Sequence, residues 1–114
     1  MLKFNMCVRK KPFVLIDGEG LETQAVFTQF TVEESTEIRK LLSDKKDLDV
    51  IDFSDLINKT RVIHSVKTDS GIHVYDSIDS LNDMPVGVVE AMMLEVDKLN
   101  PWPKIDETLD SKKN

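Results

Sequence analysis

The sequence predicts a single α+β domain over residues 1–102 and a disordered, charged tail over residues 103–114. Two apolar segments, each interrupted by a glycine-containing turn, predict two β-hairpins that form one antiparallel sheet. A capping motif and a proline-led apolar stretch predict the beginnings of two main helices. A chain of 114 residues can bury about two-thirds of the surface that it exposes when unfolded, so a hydrophobic core is possible.

The first hairpin is predicted near the beginning of the domain. Pro12 leads into an apolar run over residues 13–16, which predicts the first strand. The segment Asp17-Gly18-Glu19-Gly20 follows, and both glycines can take the positive φ that tight turns require. The alternating pattern over residues 21–30 then predicts the second strand.

A capping box marks the beginning of the first helix. In Thr31-Val32-Glu33-Glu34, the Thr31 hydroxyl can accept from the Glu34 amide while the Glu34 carboxylate accepts from the Thr31 amide. The motif predicts a helix from about Val32 to Ser43. Helical spacing places three apolar side chains on one side of it, namely Ile38, Leu41 and Leu42.

The middle of the chain predicts a charged linker followed by short elements. Residues 44–49 are almost entirely charged and predict the linker. Residues 50–53 predict a brief extended piece, and residues 54–58 predict one helical turn with Ser54 as its cap.

A second hairpin is predicted from a β-branched run over residues 61–67 and a second strand over residues 72–75. Residues 68–71, Thr-Asp-Ser-Gly, form its predicted turn. This register pairs Val66 with His73 and His64 with Tyr75. The side chains expected in the core are Ile63, Ile72 and Val74.

The last helix is predicted over Val86–Leu99. Met84-Pro85 precedes it, and proline suits the first helical position because its missing amide would be unpaired there anyway. The apolar positions fall on one side of the helix, which predicts that it packs on the sheet. Asn100-Pro101 ends it. The side chains expected in the core are Val89, Met93 and Val96.

Composition excludes several function classes. Fifteen basic against 21 acidic residues give a net charge of −6, which argues against general affinity for nucleic acid or an anionic membrane. No apolar run approaches the roughly 18 residues of a membrane span. One cysteine, Cys7, excludes an intrachain disulfide. The basic segment Arg9-Lys10-Lys11 follows the weakly apolar start, the reverse of a secretion signal, so we expect a cytoplasmic protein.

The sequence predicts no catalytic or metal site and no cofactor. Cys7 lies near basic residues that could lower its pKa, but a half-buried strand thiol is the simpler interpretation. His64 and His73 would share a face of the second hairpin as diagonal neighbours. No cysteine completes a zinc set with them, so we predict no metal site and no enzyme.

Two features suggest surfaces for binding a protein partner. The small residues on one side of the last helix, Gly87 and Ala91, together with Leu94, would let another backbone approach closely. The alternative is that the domain's own hairpin packs there. Trp102, between two prolines, is typical of an interface anchor, but it could equally fold back over the core.

The order of these elements resembles a known family. The capped helix at Phe30-Thr31-Val32-Glu33-Glu34 and the late helix between Met84-Pro85 and Leu99-Asn100-Pro101 look like the small tail assembly chaperones of long-tailed phages. The resemblance covers residues 12–43 and 84–101. Known members include largely helical proteins, whereas this sequence predicts substantial β structure.

The resemblance implies a non-enzymatic role in the cytoplasm of a bacterial host. Such a protein coats the tape measure protein and keeps it soluble until the tail tube forms around it, and it can form homo-oligomers. Lys112-Lys113-Asn114 can be encoded by a slippery run of adenines ending in cytosine, in line with the frameshifted long forms of this family. The alternative function is a small acidic phage or bacterial protein-binding module, such as an inhibitor or a virion connector.

Overall fold

The computed structural model describes residues 1–45 and 47–102, and it confirms the α+β class. The strands are β1 (Lys10–Ile16), β2 (Glu22–Thr28) and β3 (Val66–Lys67). The helices are α1 (Val32–Ser43), α2 (Val50–Ser65) and α3 (Val86–Leu99), with a 3₁₀ turn at Ile78–Leu81. The predicted disordered tail, residues 103–114, lies outside the described residues.

The sheet has the order β1-β2-β3 and is antiparallel throughout, so β2 is its centre. The first hairpin is confirmed. Its turn is closed by the Asp17 amide, which donates to the Leu21 carbonyl at 3.0 Å. The Asp17 carboxylate accepts from the Glu19 and Leu21 amides, each at 2.9 Å. Gly20 takes the positive φ of 85° that this turn requires.

The core lies between one face of the sheet and the two helices α2 and α3. Phe13 of β1 stacks on Phe27 of β2 with ring centroids 4.1 Å apart. Val89 and Val96 of α3 are buried, as predicted, whereas Met93 is half-buried. The fully or nearly buried apolar cluster comprises Ala25, Phe27, Val62, Val66, Leu81, Val89, Met92 and Val96. The prediction that the last helix packs on the sheet is therefore confirmed.

Both helix starts at α1 and α3 fall where the sequence predicts them. At α1 the Thr31 hydroxyl accepts from the Glu34 amide at 3.2 Å, and the Glu34 carboxylate accepts from the Thr31 amide at 3.0 Å. Ile38 is buried, whereas Leu41 is 50% exposed; the main packing partner of α1 is α2. At α3, Pro85 is the residue before the first helical position, with φ of −56°.

The predicted second hairpin is largely wrong, because residues 50–65 form one helix, α2. The helix begins at Asp49, whose carboxylate accepts from the Asp52 amide at 2.8 Å. The β-branched run that predicted a strand is helical because Val62 is fully buried in the core cluster. Tertiary burial of this kind overrides local propensity, which is worth only fractions of a kcal/mol, about 0.7 at most, per residue.

A remnant of the hairpin follows α2. The predicted turn at residues 68–71 is present, with the Gly71 amide donating to the Thr68 carbonyl at 2.9 Å and Gly71 at φ of 93°. Lys67, rather than Val66, lies opposite His73, so the register is shifted by one residue. Ile72 is exposed as a result, while Val74 packs half-buried against the core.

Buried polar contacts join β2 to both core helices. The Ser65 hydroxyl accepts from the Thr28 amide at 3.1 Å and donates to the Thr28 carbonyl at 2.8 Å. At the end of α3, Asn100 accepts from the Phe30 amide at 2.7 Å. The Asn100 amide group also donates to the carbonyls of Thr28 and Val96, each at 3.2 Å. The end of β2 is thereby held to α2 and α3 together.

We expect Asn100→Ala to destabilise the domain by about 1–3 kcal/mol, because it leaves the part-buried Phe30 amide unpaired and removes one of the two hydrogen bonds to the Thr28 carbonyl. Urea denaturation at pH 7 measures the change. The matched control is Asn82→Ala, since Asn82 is exposed and its carboxamide has one weak contact, 3.5 Å from Asp79. Equal stability of the two variants would contradict the role assigned to Asn100.

Candidate protein-binding surface

The outward side of α3 is an exposed apolar patch. Gly87, Ala91 and Leu94 lie at positions i, i+4 and i+7, so they share one side of the helix, and all three are exposed. Leu94 is 63% exposed and Val86, at the first turn, is 73% exposed. We call these four residues the α3 patch. The chain's own hairpin does not cover them, so that alternative from the sequence is wrong.

The hairpin instead packs against another side of α3. Lys11 of β1 lies with its Nζ 2.5 Å from the Glu95 carboxylate. This ion pair lowers the pKa of Glu95, and Lys98 adds to the effect through a contact of 3.3 Å. Val89, Met92 and Val96 occupy the buried side. Glu95 thus faces the hairpin, the buried side faces the core, and the α3 patch faces solvent.

The α3 patch is not part of a membrane span. Within residues 1–45 and 47–102, no helix has both the length and the apolar content that crossing a membrane requires. Two exposed charged residues share this side of the helix: Glu90 lies between Val86 and Leu94, and Lys98 lies four residues after Leu94. An exposed mixture of apolar and charged side chains is compatible with a protein-binding surface.

Trp102 lies apart from the α3 patch. Its ring stacks on the guanidinium of Arg61, whose Cζ is 3.9 Å from the ring centroid. It therefore folds back onto α2, yet it stays 48% exposed. The indole covers Arg61 with one face and leaves the rest of its surface accessible, so the fold-back is observed, while a role as an interface anchor stays a prediction.

Arg61 is the group that holds Trp102 in place. Its guanidinium lies between the rings of Phe30 and Trp102 and donates to Asp97 at 3.2 Å and to the Asn100 carbonyl. Burial lowers the pKa of Arg61, and the Asp97 carboxylate acts in the opposite direction. The stacked cation is a positioning element rather than a catalytic one, because an arginine stays protonated in any case.

His64 and His73 do lie together, although the hairpin that predicted this is absent. Their rings are 5.9 Å apart and nearly perpendicular, at 73°. His64 Nδ1 donates to the Thr60 carbonyl at 2.9 Å, and its Nε2 is 3.8 Å from the Glu37 carboxylate. In the described part of the chain, no three histidine, cysteine or acidic side chains converge as metal ligands. Cys7 is exposed, not half-buried as expected.

An apolar groove between α1, α2 and the 3₁₀ turn is a feature that the sequence analysis missed. It has a volume of 360 Å³ and adjoins the histidine pair. Its apolar walls come from Leu41, Leu56, Ile63 and Ile78. Leu56 and Ile63 are seven residues apart, a helical spacing that the predicted strand over residues 61–67 concealed.

The Glu34–Lys67 ion pair joins α1 to β3, and His73 Nε2 lies 4.0 Å from the same carboxylate. Lys67 Nζ is 2.7 Å from the Glu34 carboxylate, and both side chains are nearly buried. Burial by itself raises the pKa of Glu34, but the hydrogen bonds from Lys67 and Thr31 and the Lys67 charge lower it overall. Ionised Glu34 therefore stabilises the fold at neutral pH.

The fold is shared with a solved phage protein. The structure of the bacteriophage HK97 tail assembly chaperone matches with a TM-score of 0.52 and 14% sequence identity, over 81% of this chain and 85% of that chain. No protein-family model matches the chain, and no curated protein matches it. At this identity the likeness shows the fold, and at that level the resemblance predicted from the sequence is confirmed.

We expect Glu34→Gln to reduce the loss of stability on acidification. Because the folded pKa of Glu34 lies below its unfolded value of about 4.3, its contribution is complete above that pH and is lost as the pH falls through the folded pKa. Glutamine retains the capping box but not the charge, so the variant should also be about 1–3 kcal/mol less stable at pH 7. Denaturation midpoints measured from about pH 3 to pH 7, which spans the titration of Glu34, report both effects.

The matched control is Glu33→Gln, on the same first turn of α1 but exposed. It removes the same charge at the same helix end without touching Lys67. An identical pH dependence of stability in the two variants would show that the Glu34–Lys67 pair does not determine the loss of stability at low pH.

Proposed function

We propose that this chain is a non-enzymatic protein-binding protein that acts as a phage tail assembly chaperone in the cytoplasm of a bacterial host. In this role it binds the tape measure protein and keeps it soluble while the tail tube forms. The observation that supports this most directly is the fold shared with the HK97 tail assembly chaperone over 81% of the chain. The exposed α3 patch supplies a surface suited to the task.

The α3 patch fits an amphipathic helix of the partner. Gly87 and Ala91 have little or no side chain, so a second helix can approach α3 closely along this side. Leu94 then lies against the apolar stripe of the incoming helix, and the long side chains of Glu90 and Lys98, on the same side of α3, can extend past the contact so that their charged ends stay in water. The contact buries apolar surface of both proteins.

One such contact is weak by itself. Burying a leucine contributes about 1.5–3 kcal/mol, which is far below the free energy of a tight complex. A long partner with repeated apolar segments can bind several copies, and the combined binding is then much stronger than each contact. The net charge of −6 on each copy keeps a coated partner soluble through mutual repulsion.

We expect Leu94→Asp to weaken binding to a phage tape measure protein by at least about tenfold, because the substitution places a charge in the apolar contact. The two proteins are co-expressed, and the soluble fraction of the tape measure protein and its co-purification with this chain are measured. Circular dichroism and thermal unfolding establish that the variant is folded.

The control is Val50→Asp, which places the same charge on an exposed apolar residue at the beginning of α2, 84% exposed against 63% for Leu94. This variant should bind normally. A tape measure protein that stays insoluble with the unaltered chain contradicts the proposed function and favours another acidic protein-binding module. Equal loss with both variants contradicts the assignment of the α3 patch.

A further inference from the structure

A second groove between α1 and α2 lies at Trp102, the last residue of the described chain. Trp102 forms part of its wall together with Phe30 and Arg61, so we call it the Trp102 groove. It shares no residue with the groove that adjoins the histidine pair. Three aliphatic side chains of the two helices also line it, namely Ile38, Leu42 and Ile57.

The Trp102 groove has the size and polarity to hold one apolar side chain. Its volume is 170 Å³, and an apolar cavity of about 150 Å³ holds a benzene molecule. Ile38 is buried, whereas Leu42 and Ile57 are only half-buried, so part of their apolar surface still faces solvent. An apolar group that displaces poorly bonded water from such surface is favoured.

Two arginines make the groove positively charged. Arg61 of α2 and Arg39 of α1 both line it. Asp97 balances the charge of Arg61, but within residues 1–45 and 47–102 no acidic side chain lies at ion-pair distance from Arg39. Arg61 Nε is buried and has no acceptor among the same residues, whereas buried donors are normally paired. The groove therefore suits an apolar side chain that is followed by carboxylates.

The chain that continues past Trp102 has this composition. Ile105 lies three residues after Trp102, and Asp106 and Glu107 follow it directly. Three residues span at most about 11 Å, so Ile105 is always close to the groove wall. A short tether of this kind gives an effective concentration in the millimolar range, which a separate partner does not have. The continuing chain is thus the occupant that position and charge both favour.

We propose that residues 103–107 fold back and dock in the Trp102 groove of the same chain. Ile105 fills the apolar space, and the carboxylates of Asp106 and Glu107 pair with Arg39. The sequence predicts a disordered tail over residues 103–114, and this contact orders only its beginning. None of the α3 patch residues lines the groove, so the contact does not depend on the proposed function.

Trp102 fluorescence tests the docking in the full chain. Trp102 is the only tryptophan of the chain, and the described residues leave it 48% exposed, so docking shields part of the indole. We expect Ile105→Asp to shift the emission to longer wavelength and to increase quenching by acrylamide. Circular dichroism establishes that the variant is folded.

The matched control is Leu109→Asp, the same substitution four residues further along the tail. It should leave the emission and the quenching as they are in the unaltered chain. An Ile105→Asp variant with unchanged emission and quenching overturns the proposal. An equal change in both variants overturns it as well, because the effect would then not depend on the residue that fills the groove.

A second pair of variants tests the charge contact. Arg39→Gln should shift the emission in the same direction as Ile105→Asp but by less, because the apolar contact remains. Lys40→Gln removes the same charge from the neighbouring exposed position, which does not line the groove, and should have no effect. Unchanged emission in Arg39→Gln contradicts the charge contact and with it the choice of this segment as the occupant.

Nuclear Overhauser contacts test the placement directly. We expect contacts between the methyl groups of Ile105 and those of Ile38 and Ile57 in the unaltered chain. In a mixture of labelled and unlabelled chains, these contacts should arise within one chain. Their absence overturns the proposal, and so does their appearance only between chains. The tape measure protein is not present in these measurements, so their outcome is independent of the proposed function.

Discussion

The arrangement of this domain depends on the buried hydrogen bonds at the end of β2. Thr28 exchanges both of its backbone bonds with the Ser65 hydroxyl, and its carbonyl also accepts from Asn100. Polar groups are costly to bury without hydrogen-bond partners. The backbone of Thr28, the Ser65 hydroxyl and the Asn100 carboxamide therefore depend on one another for their positions. The central strand, the end of α2 and the end of α3 therefore form one unit, and α1 begins where β2 leaves it.

This unit decides which apolar side chains remain outside. Asn100 and Arg61 hold the end of α3 against α2, while Lys11 holds the hairpin against another side of the helix through Glu95. The remaining side of α3 has no neighbour within the described chain and carries Leu94. The exposed apolar surface of α3 is thus a consequence of how the core is closed rather than an isolated feature.

The α3 patch lies on a helix whose opposite face is buried in the core, which suits docking of amphipathic segments. Since a fold by itself does not establish function, this surface rather than the likeness to the HK97 protein is where the function has to be tested.

Local signals alone determined the first hairpin, α1 and α3. The turn at Asp17 to Gly20, the capping box at Thr31 and the stop at Asn100 each satisfy backbone groups within a few residues, so they act before any tertiary contact forms. Helical periodicity also placed Gly87, Ala91 and Leu94 on one side of α3, but only the structure shows that this side is exposed. These elements carried the resemblance that the shared fold confirms.

Only the tertiary structure decided the state of residues 50–65. Their β-branched side chains favour a strand locally, but as a helix they bury Val62 and bring Ser65 to Thr28. Burial of one such side chain contributes about 1.5–3 kcal/mol, which exceeds the local preference. The contacts of Trp102 with Arg61 and of His64 with His73 depend on that helix. Local sequence patterns do not predict them, because they arise only when α2 packs in the folded domain.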